Sequence, residues 1–231
     1  MNASTLRRAA LAGSAVLVLA SASLGYSYLK PTASQSAPID SVYMSTLTDE
    51  ETSGSIYTIQ TSDSKATFTV GEVLRGSPFT VVGTTDQVTG DIAFDPNDPG
   101  SAQLGAIKIN ARTLATDDSS RNRALFNVIL NADQYEYITF TPTSLSGLPE
   151  TVTIGEPFTF QALGDLAIKD NIHPATFDVT VVPTADGRLE GTARTTINYA
   201  DWGVTIPSVP FVASVGNEVA LQLDFAASTS A

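Results

Sequence analysis

The stretch from Phe158 to Lys169 constrains the fold more than any other. Phe158, Phe160, Ala162, Gly164, Leu166 and Ile168 alternate with Thr159, Gln161, Leu163, Asp165, Ala167 and Lys169. Period-two alternation sustained over this length puts one set on each face of an extended strand. The pattern recurs along the chain. Ala66, Phe68 and Val70 share a face, as do Phe79 and Val81, then Val88, Ile92 and Phe94, then Ile107 and Ile109, then Ile138 and Phe140. Phe177, Val179 and Val181 follow, then Leu189, Ala193 and Ile197, and finally Val219, Leu221, Leu223 and Phe225. One buried and one wet face is the mark of antiparallel sheet. A parallel α/β sheet shows unbroken apolar strands with helices between them.

Turn clusters punctuate the strands: DPNDPG at 95–100, KDNIHP at 169–174 and TADG at 184–187. Each supplies the Gly, Asn, Asp or Pro that tight turns use. Only Arg112 to Pro142 breaks the period. Thr116, Asp117 and Asp118 can cap a helix start, and Leu125, Phe126, Val128 and Ile129 make an apolar stripe at helical spacing. Asn131, Ala132 and Asp133 end that helix, and Pro142 is expected to stop the strand after it. A lone amphipathic helix needs an apolar surface, so it reads as a lid or plug. Short connections, about eight strands and one short helix predict an all-β fold, an up-and-down antiparallel barrel. Closure removes the edges so strand-rich a chain would expose. Gly164 suits a bend in the wall. A β-sandwich is the alternative.

The chain begins with Arg7 and Arg8, an apolar run from Ala9 to Ala20, and an A-x-A-like Ala20-Ser21-Ala22. This is the layout of a signal peptide over residues 1–28. It also fits an N-terminal membrane anchor helix, because weakly apolar residues continue to Leu29. The arginine pair leaves both the general and the twin-arginine export routes open. Either way the remainder is expected outside the cytoplasm: periplasmic, secreted or anchored to the outer face of the cytoplasmic membrane. Residues 29–53 read as a flexible linker, 54–226 as the barrel domain and 227–231 as a tail. The formal net charge is −12 over 231 residues, and residues 1–22 carry no acid. So acidic a domain repels phosphate backbones, which argues against nucleic acid as a partner. The chain has no cysteine, hence no disulfide or thiolate metal site. No nucleophile elbow, zinc-binding H-E-x-x-H or P-loop occurs, and no residue is nominated as catalyst, metal ligand or cofactor ligand.

Four pieces together resemble the YceI-like family of exported, lipocalin-like polyisoprenoid-binding proteins. The first is the strand pair with Phe68 and Val70 followed by VVGTTDQVTGDIAFDP. The second is TLATDDSSRNRALFNVILNADQYEYITF, where Arg121, Leu125, Tyr135 and Phe140 match, Asn122 replaces Asp and Glu136 replaces Pro. The third is GDLAIKDNIHPATFDV, where Gly164, Leu166, Ile168 and Pro174 match, while Asp170 and His173 depart from the family's turn. The fourth is Asp201-Trp202-Gly203, similar to the family's Asp-Phe-Gly. The resemblance spans roughly Gly54 to Ala226. It implies an eight-stranded barrel holding a long isoprenoid, such as a polyprenyl quinone or polyprenyl phosphate, in an apolar lumen. The inward sets then supply the ligand-binding candidates: Phe68, Val70, Phe79, Val81, Ile107, Ile109, Phe140, Phe160, Ile168, Phe177, Val179, Leu221 and Leu223, with Leu125, Phe126 and Ile129 as the lid. Arg121 and Arg123 could meet a headgroup phosphate or simply face solvent. The resemblance implies an isoprenoid lipid as partner; the N-terminal segment adds the membrane if residues 1–28 are retained, and a homodimer is left open. The alternative reading is a non-catalytic structural or interaction domain of the cell envelope, whose inward side chains fill a dry core.

Overall fold

In the computed structural model, which describes residues 37–39, 45, 47, 52–208 and 212–229, the alternating segments become one antiparallel sheet of twelve strands among the described residues. They are β1 (Ser55–Ile59), β2 (Lys65–Leu74), β3 (Ser77–Thr85), β4 (Val88–Thr89), β5 (Asp91–Phe94), β6 (Gln103–Leu104), β7 (Ile107–Asn110), β8 (Tyr137–Ser146), β9 (Phe158–Ile168), β10 (Asn171–Pro183), β11 (Arg188–Asn198) and β12 (Val212–Thr229). The helix α1 (Ser119–Ala124) lies between β7 and β8 in the chain.

From β7 to β12 the strands pair in chain order. β12 then pairs with β2, and β2 with β3. β3 continues through Asp86 and Gln87 into β4, which pairs back onto β7. The sheet therefore curls until its ladder meets itself, and eight members make that wall: β2, β3 with β4, and β7 to β12. Twelve strands are found where about eight were expected, because the chain bends between β3 and β4 and a side branch adds three more. The last residues of β12, Ala227 to Thr229, leave β2 and pair with β1, which carries β5 and β6. β12 runs to Thr229, beyond the expected domain end at Ala226, since Ala227 still pairs with Ile59 and Leu189.

The N-terminal signal or anchor over residues 1–28 lies outside the described residues. Among those described, no helix is long and apolar enough to cross a membrane. Most of the expected linker lies outside them too. Ile39 within it is only 1% exposed, and its N–H donates to Gln87 Oε1 at 3.4 Å. That residue is docked, not loose.

Two local readings need correction. Pro142 does not end its strand. β8 continues to Ser146 by a register shift between Pro142 and Ser144, a bulge at the residue that has no N–H for the ladder. The β9–β10 turn is also tighter than the KDNIHP cluster implied. Ile168 pairs with Asn171, Lys169 takes a positive φ of 60°, and His173 and Pro174 already belong to β10.

Gly164 sits opposite the β8 bulge. A Cβ there would meet the Thr141 carbonyl oxygen, Pro142 Cα at 2.7 Å and Phe140 Cζ at 2.8 Å. Two of those contacts are backbone and cannot swing away. Gly164→Ala is expected to lower unfolding stability by about 2 kcal/mol, as overpacking does in a closed wall. Urea denaturation of the two proteins measures it, and an unchanged midpoint would show that β8 relaxes freely.

Candidate functional site

The inward faces of the wall do not meet at the barrel axis. They enclose a cavity of about 700 Å³. Register brings its side chains together in rows across the strands. Phe160 lies beside Val179, Val179 beside Ala193, Ala193 beside Leu223, and Leu223 beside Ala66. Phe68 pairs with Leu221, and Val70 with both Val219 and Val81. Ile107 pairs with Phe140, which packs edge-on against Phe177 at 4.9 Å between centroids.

Fourteen of the sixteen nominated residues line this cavity: Phe68, Val70, Val81, Ile107, Ile109, Leu125, Ile129, Phe140, Phe160, Ile168, Phe177, Val179, Leu221 and Leu223. Phe126 and Phe79 do not. Phe126 packs against the core cluster away from the cavity. Phe79 has the inward parity of β3 but sits near the β2–β3 hairpin turn, 37% exposed, with the Arg121 guanidinium 5.8 Å from its ring centroid.

Glycines explain why so aromatic a wall leaves space. The Phe225 ring lies where a Cβ on Gly191 would be, with Cζ 2.7 Å from that position, and the Phe68 ring lies over Gly83 in the same way. In each case glycine and phenylalanine are register partners on adjacent strands. Rings that lie back against glycine cover wall instead of filling the lumen. Ala66, Ala162 and Ala193 keep other parts of the wall thin.

At one end the β1–β5–β6 branch packs over the cavity, with exposed Gln103 of β6 in its wall, and there Phe94 stacks on Phe158 at 5.8 Å and Phe158 on Phe160 at 6.1 Å. At the other, α1, the β2–β3 hairpin, Ile206, Pro207 and the start of β12 surround the cavity. It reaches the surface there, because exposed Arg75, Asp118 and Ser120 belong to its wall. Trp202, 4% exposed, also packs at this end, donating from Nε1 to the Leu166 carbonyl at 2.8 Å and meeting the His173 ring edge-on.

The helix is set by the residues before it. Asp118 Oδ1 accepts from the N–H groups of Ser120 and Arg121, each at 2.8 Å. Asn122 Oδ1 accepts from the Thr116 N–H at 2.7 Å and hydroxyl at 2.8 Å, tying the approach loop to the helix. From Leu125 to Ile129 the turn widens to π geometry, with the Leu130 N–H reaching the Leu125 carbonyl. The wider turn keeps Leu125 and Ile129 on the cavity and rotates Val128 outward, 56% exposed, where a regular helix would have kept it in the stripe.

Two charged wall residues were not nominated as a pair: Glu72 and Arg121. Arg121 Nη2 lies 3.2 Å from Glu72 Oε1, and Nη1 lies 2.7 Å from Asp117 Oδ1. Glu72 had a legible signal. It continues the inward series Ala66, Phe68, Val70 as a lone acid on an apolar face, and a buried carboxylate requires a partner. The aromatic Phe158 and Phe225 also line the cavity. They stood in the alternation without being singled out. No cluster of three or more His, Cys, Asp or Glu side chains able to hold a metal occurs among the described residues.

The YceI-like domain model matches residues 57–227. No curated protein matches the chain. Among solved structures, a polyisoprenoid binding domain from Saccharophagus degradans, implicated in plant cell wall breakdown, superposes with a TM-score of 0.59 at 12% identity, covering 75% of this chain and 98% of the other. BcnA from Burkholderia cenocepacia gives 0.57 at 18% identity, covering 73% and 98%. The YCEI protein of Campylobacter jejuni gives 0.52 at 17% identity, covering 64% and 84%. At these identities the likeness is one of fold.

The Asp118 carboxyl is held below the ordinary carboxylate range, chiefly by the Arg121 N–H, against a smaller opposing effect of desolvation and with further help from the Ser120 N–H. A folded value below the unfolded one means that its contribution is complete above the unfolded value. That contribution drains away as pH falls through the folded value. Asp118→Asn keeps a capping oxygen but does not titrate. Amide exchange at Ser120 and Arg121 is therefore expected to lose protection in acid in the parent and to lose less in the variant. Equal losses would show that the cap carries no pH dependence.

Proposed function

We propose that this chain, which belongs to the YceI-like family, holds the hydrocarbon chain of a long isoprenoid lipid in its barrel lumen, outside the cytoplasm, for transport, storage or sequestration. The ligand class is that of a polyprenyl quinone or polyprenyl phosphate. The observation that carries the reading is the cavity itself: about 700 Å³ enclosed by inward-facing apolar side chains, within the size range of small-molecule sites. An envelope domain with a filled core would leave no such space.

The driving force follows from burial. Each five-carbon isoprene unit moved from water into the lumen gains roughly 3–4 kcal/mol gross, at about 0.8 kcal/mol per carbon group. Ordering the flexible chain takes part of that back. Nothing in this account needs a bond to be made or broken, so the reading is a binding protein and assigns no catalyst.

The test is mass spectrometry of organic extracts from natively purified protein. A near-stoichiometric lipid built on the isoprene repeat is expected. Phe177→Asp, which puts a charge in the apolar wall, is expected to cut bound lipid at least tenfold in protein shown to be folded. Gly83→Ala is the second variant. It keeps the wall apolar but pushes the Phe68 ring off its glycine into the lumen, so bound lipid should fall without any added charge. A clean extract, together with no uptake on incubation with polyprenyl lipids, would overturn the reading.

A further inference from the structure

We infer that the mouth of the cavity selects a lipid whose end is uncharged and rejects one that ends in phosphate; this rests on the lipid-binding reading above. The lumen cannot make that distinction, because the hydrocarbon part of either ligand is the same to an apolar wall. Discrimination falls to the polar groups where the cavity reaches the surface beside α1.

A phosphate end is held by charge-assisted hydrogen bonds, most readily from an arginine whose planar fork is available. Among the described residues the wall contains two cationic side chains, Arg75 and Arg121. The fork of Arg121 is already committed. One terminal nitrogen lies 2.7 Å from Asp117 Oδ1, the other 3.2 Å from Glu72 Oε1, and the Phe79 ring covers the guanidinium. Arg75 is engaged in an interaction of its own.

Glu72 makes the commitment costly to undo. Its side chain is only 6% exposed, on an inward face that is otherwise apolar. A phosphate that drew Arg121 away would leave a buried carboxylate without its cation, the arrangement that breaking a buried pair makes unfavourable. Asp117 is exposed and would release more easily, but it adds a second negative charge at the same place. The first free N–H groups of α1 are no refuge for an anion either, since Asp118 occupies them. Glu72, Asp117 and Asp118 therefore stand where a phosphate would have to come. Like charges brought together at an interface suppress the wrong partner, and the net charge of −12 opposes its approach from further away. A hydroxyl or carbonyl end leaves every one of these pairs intact.

The experiment compares a polyprenol with the polyprenyl monophosphate of the same chain length. Both are titrated into delipidated full-length protein in the same detergent, with binding read by native mass spectrometry and calorimetry. The polyprenol is expected to bind at least roughly tenfold more tightly. In Glu72→Gln/Asp117→Asn, the Arg121 fork is released and the ratio of phosphate to polyprenol affinity should rise several-fold. If the double variant does not fold, Asp117→Asn alone, at an exposed position, should raise the same ratio in smaller measure. Equal binding of the two ligands by the parent, or an unmoved ratio in folded variants, overturns the inference while leaving a lipid-binding barrel. Binding of neither ligand would instead overturn the lipid reading.

Discussion

Closure of the hydrogen-bonded ladder is the constraint on which the rest depends. A sheet this curled must satisfy its edge N–H and C=O groups, and here the chain does so by bending once. Asp86 and Gln87 carry β3 into β4, so that one strand pairs with β2 at one end and β7 at the other. The Gln87 carbonyl accepts from the Asn110 N–H at 2.9 Å, and Thr84 and Ala115 exchange two backbone bonds nearby. The ladder is therefore joined at this corner, while β3 from Ser77 to Gly83 has β2 as its only strand partner among the described residues. Joining the wall there brings the inward side chains of most strands onto one lumen, so small changes in one strand are felt across it.

Whether such a space is core or cavity depends on where the bulk of the aromatic rings goes. The same phenylalanines would fill the axis if their neighbours were valine or leucine. Gly191 beside Phe225 and Gly83 beside Phe68 let the rings fold back along the wall. The tight approach of β9 to the β8 bulge at Gly164 curves the sheet at the same level as Phe140. Wall thickness is set by these pairs, so the cavity is a property of strand register as much as of composition. A slip of one residue would turn the glycines outward and bring the rings against β-branched neighbours.

This is also why the sequence showed the wall clearly and the lumen poorly. Along β9 from Phe158 to Ile168 each inward residue is more buried than the neighbours it alternates with, as the sequence pattern requires. Burial periodicity states which side chains point inward, but not whether they touch in the middle. The two-residue strand β6 carries no periodicity and was invisible, and Val88 was read on one strand face with Ile92 and Phe94, although the chain breaks at Gly90 and β4 and β5 join different partners. Val128 was misplaced because spacing assumes a regular helix and the turn at Leu125–Ile129 is not one. Phe79 has the right parity and the wrong height along the barrel, a coordinate that alternation does not encode. Glu72 is the opposite case. Its anomaly was readable on an apolar face, yet the partner, 49 residues away, became evident only when the fold brought β2 beside α1.

That pair ties together the two parts of the molecule that a passing ligand has to negotiate. α1 presents Leu125 and Ile129, through its π turn, to the lumen, while Arg121 at its start is held to β2 by Glu72. At the far end of the same segment, Lys169 Nζ approaches the Ile129 carbonyl from the β9–β10 turn, at 3.5 Å. The lid is thus pinned at both ends to different sides of the wall. Just beyond its last turn the Arg112 guanidinium adds a second clamp, donating from Nε to the Ala132 carbonyl and from a terminal nitrogen to the Asp133 carbonyl, each at 3.0 Å. Cations bound to backbone carbonyls hold one end and the Glu72–Arg121 ion pair holds the other, so the segment stays seated over the lumen and its charged end sets the electrostatics of the mouth.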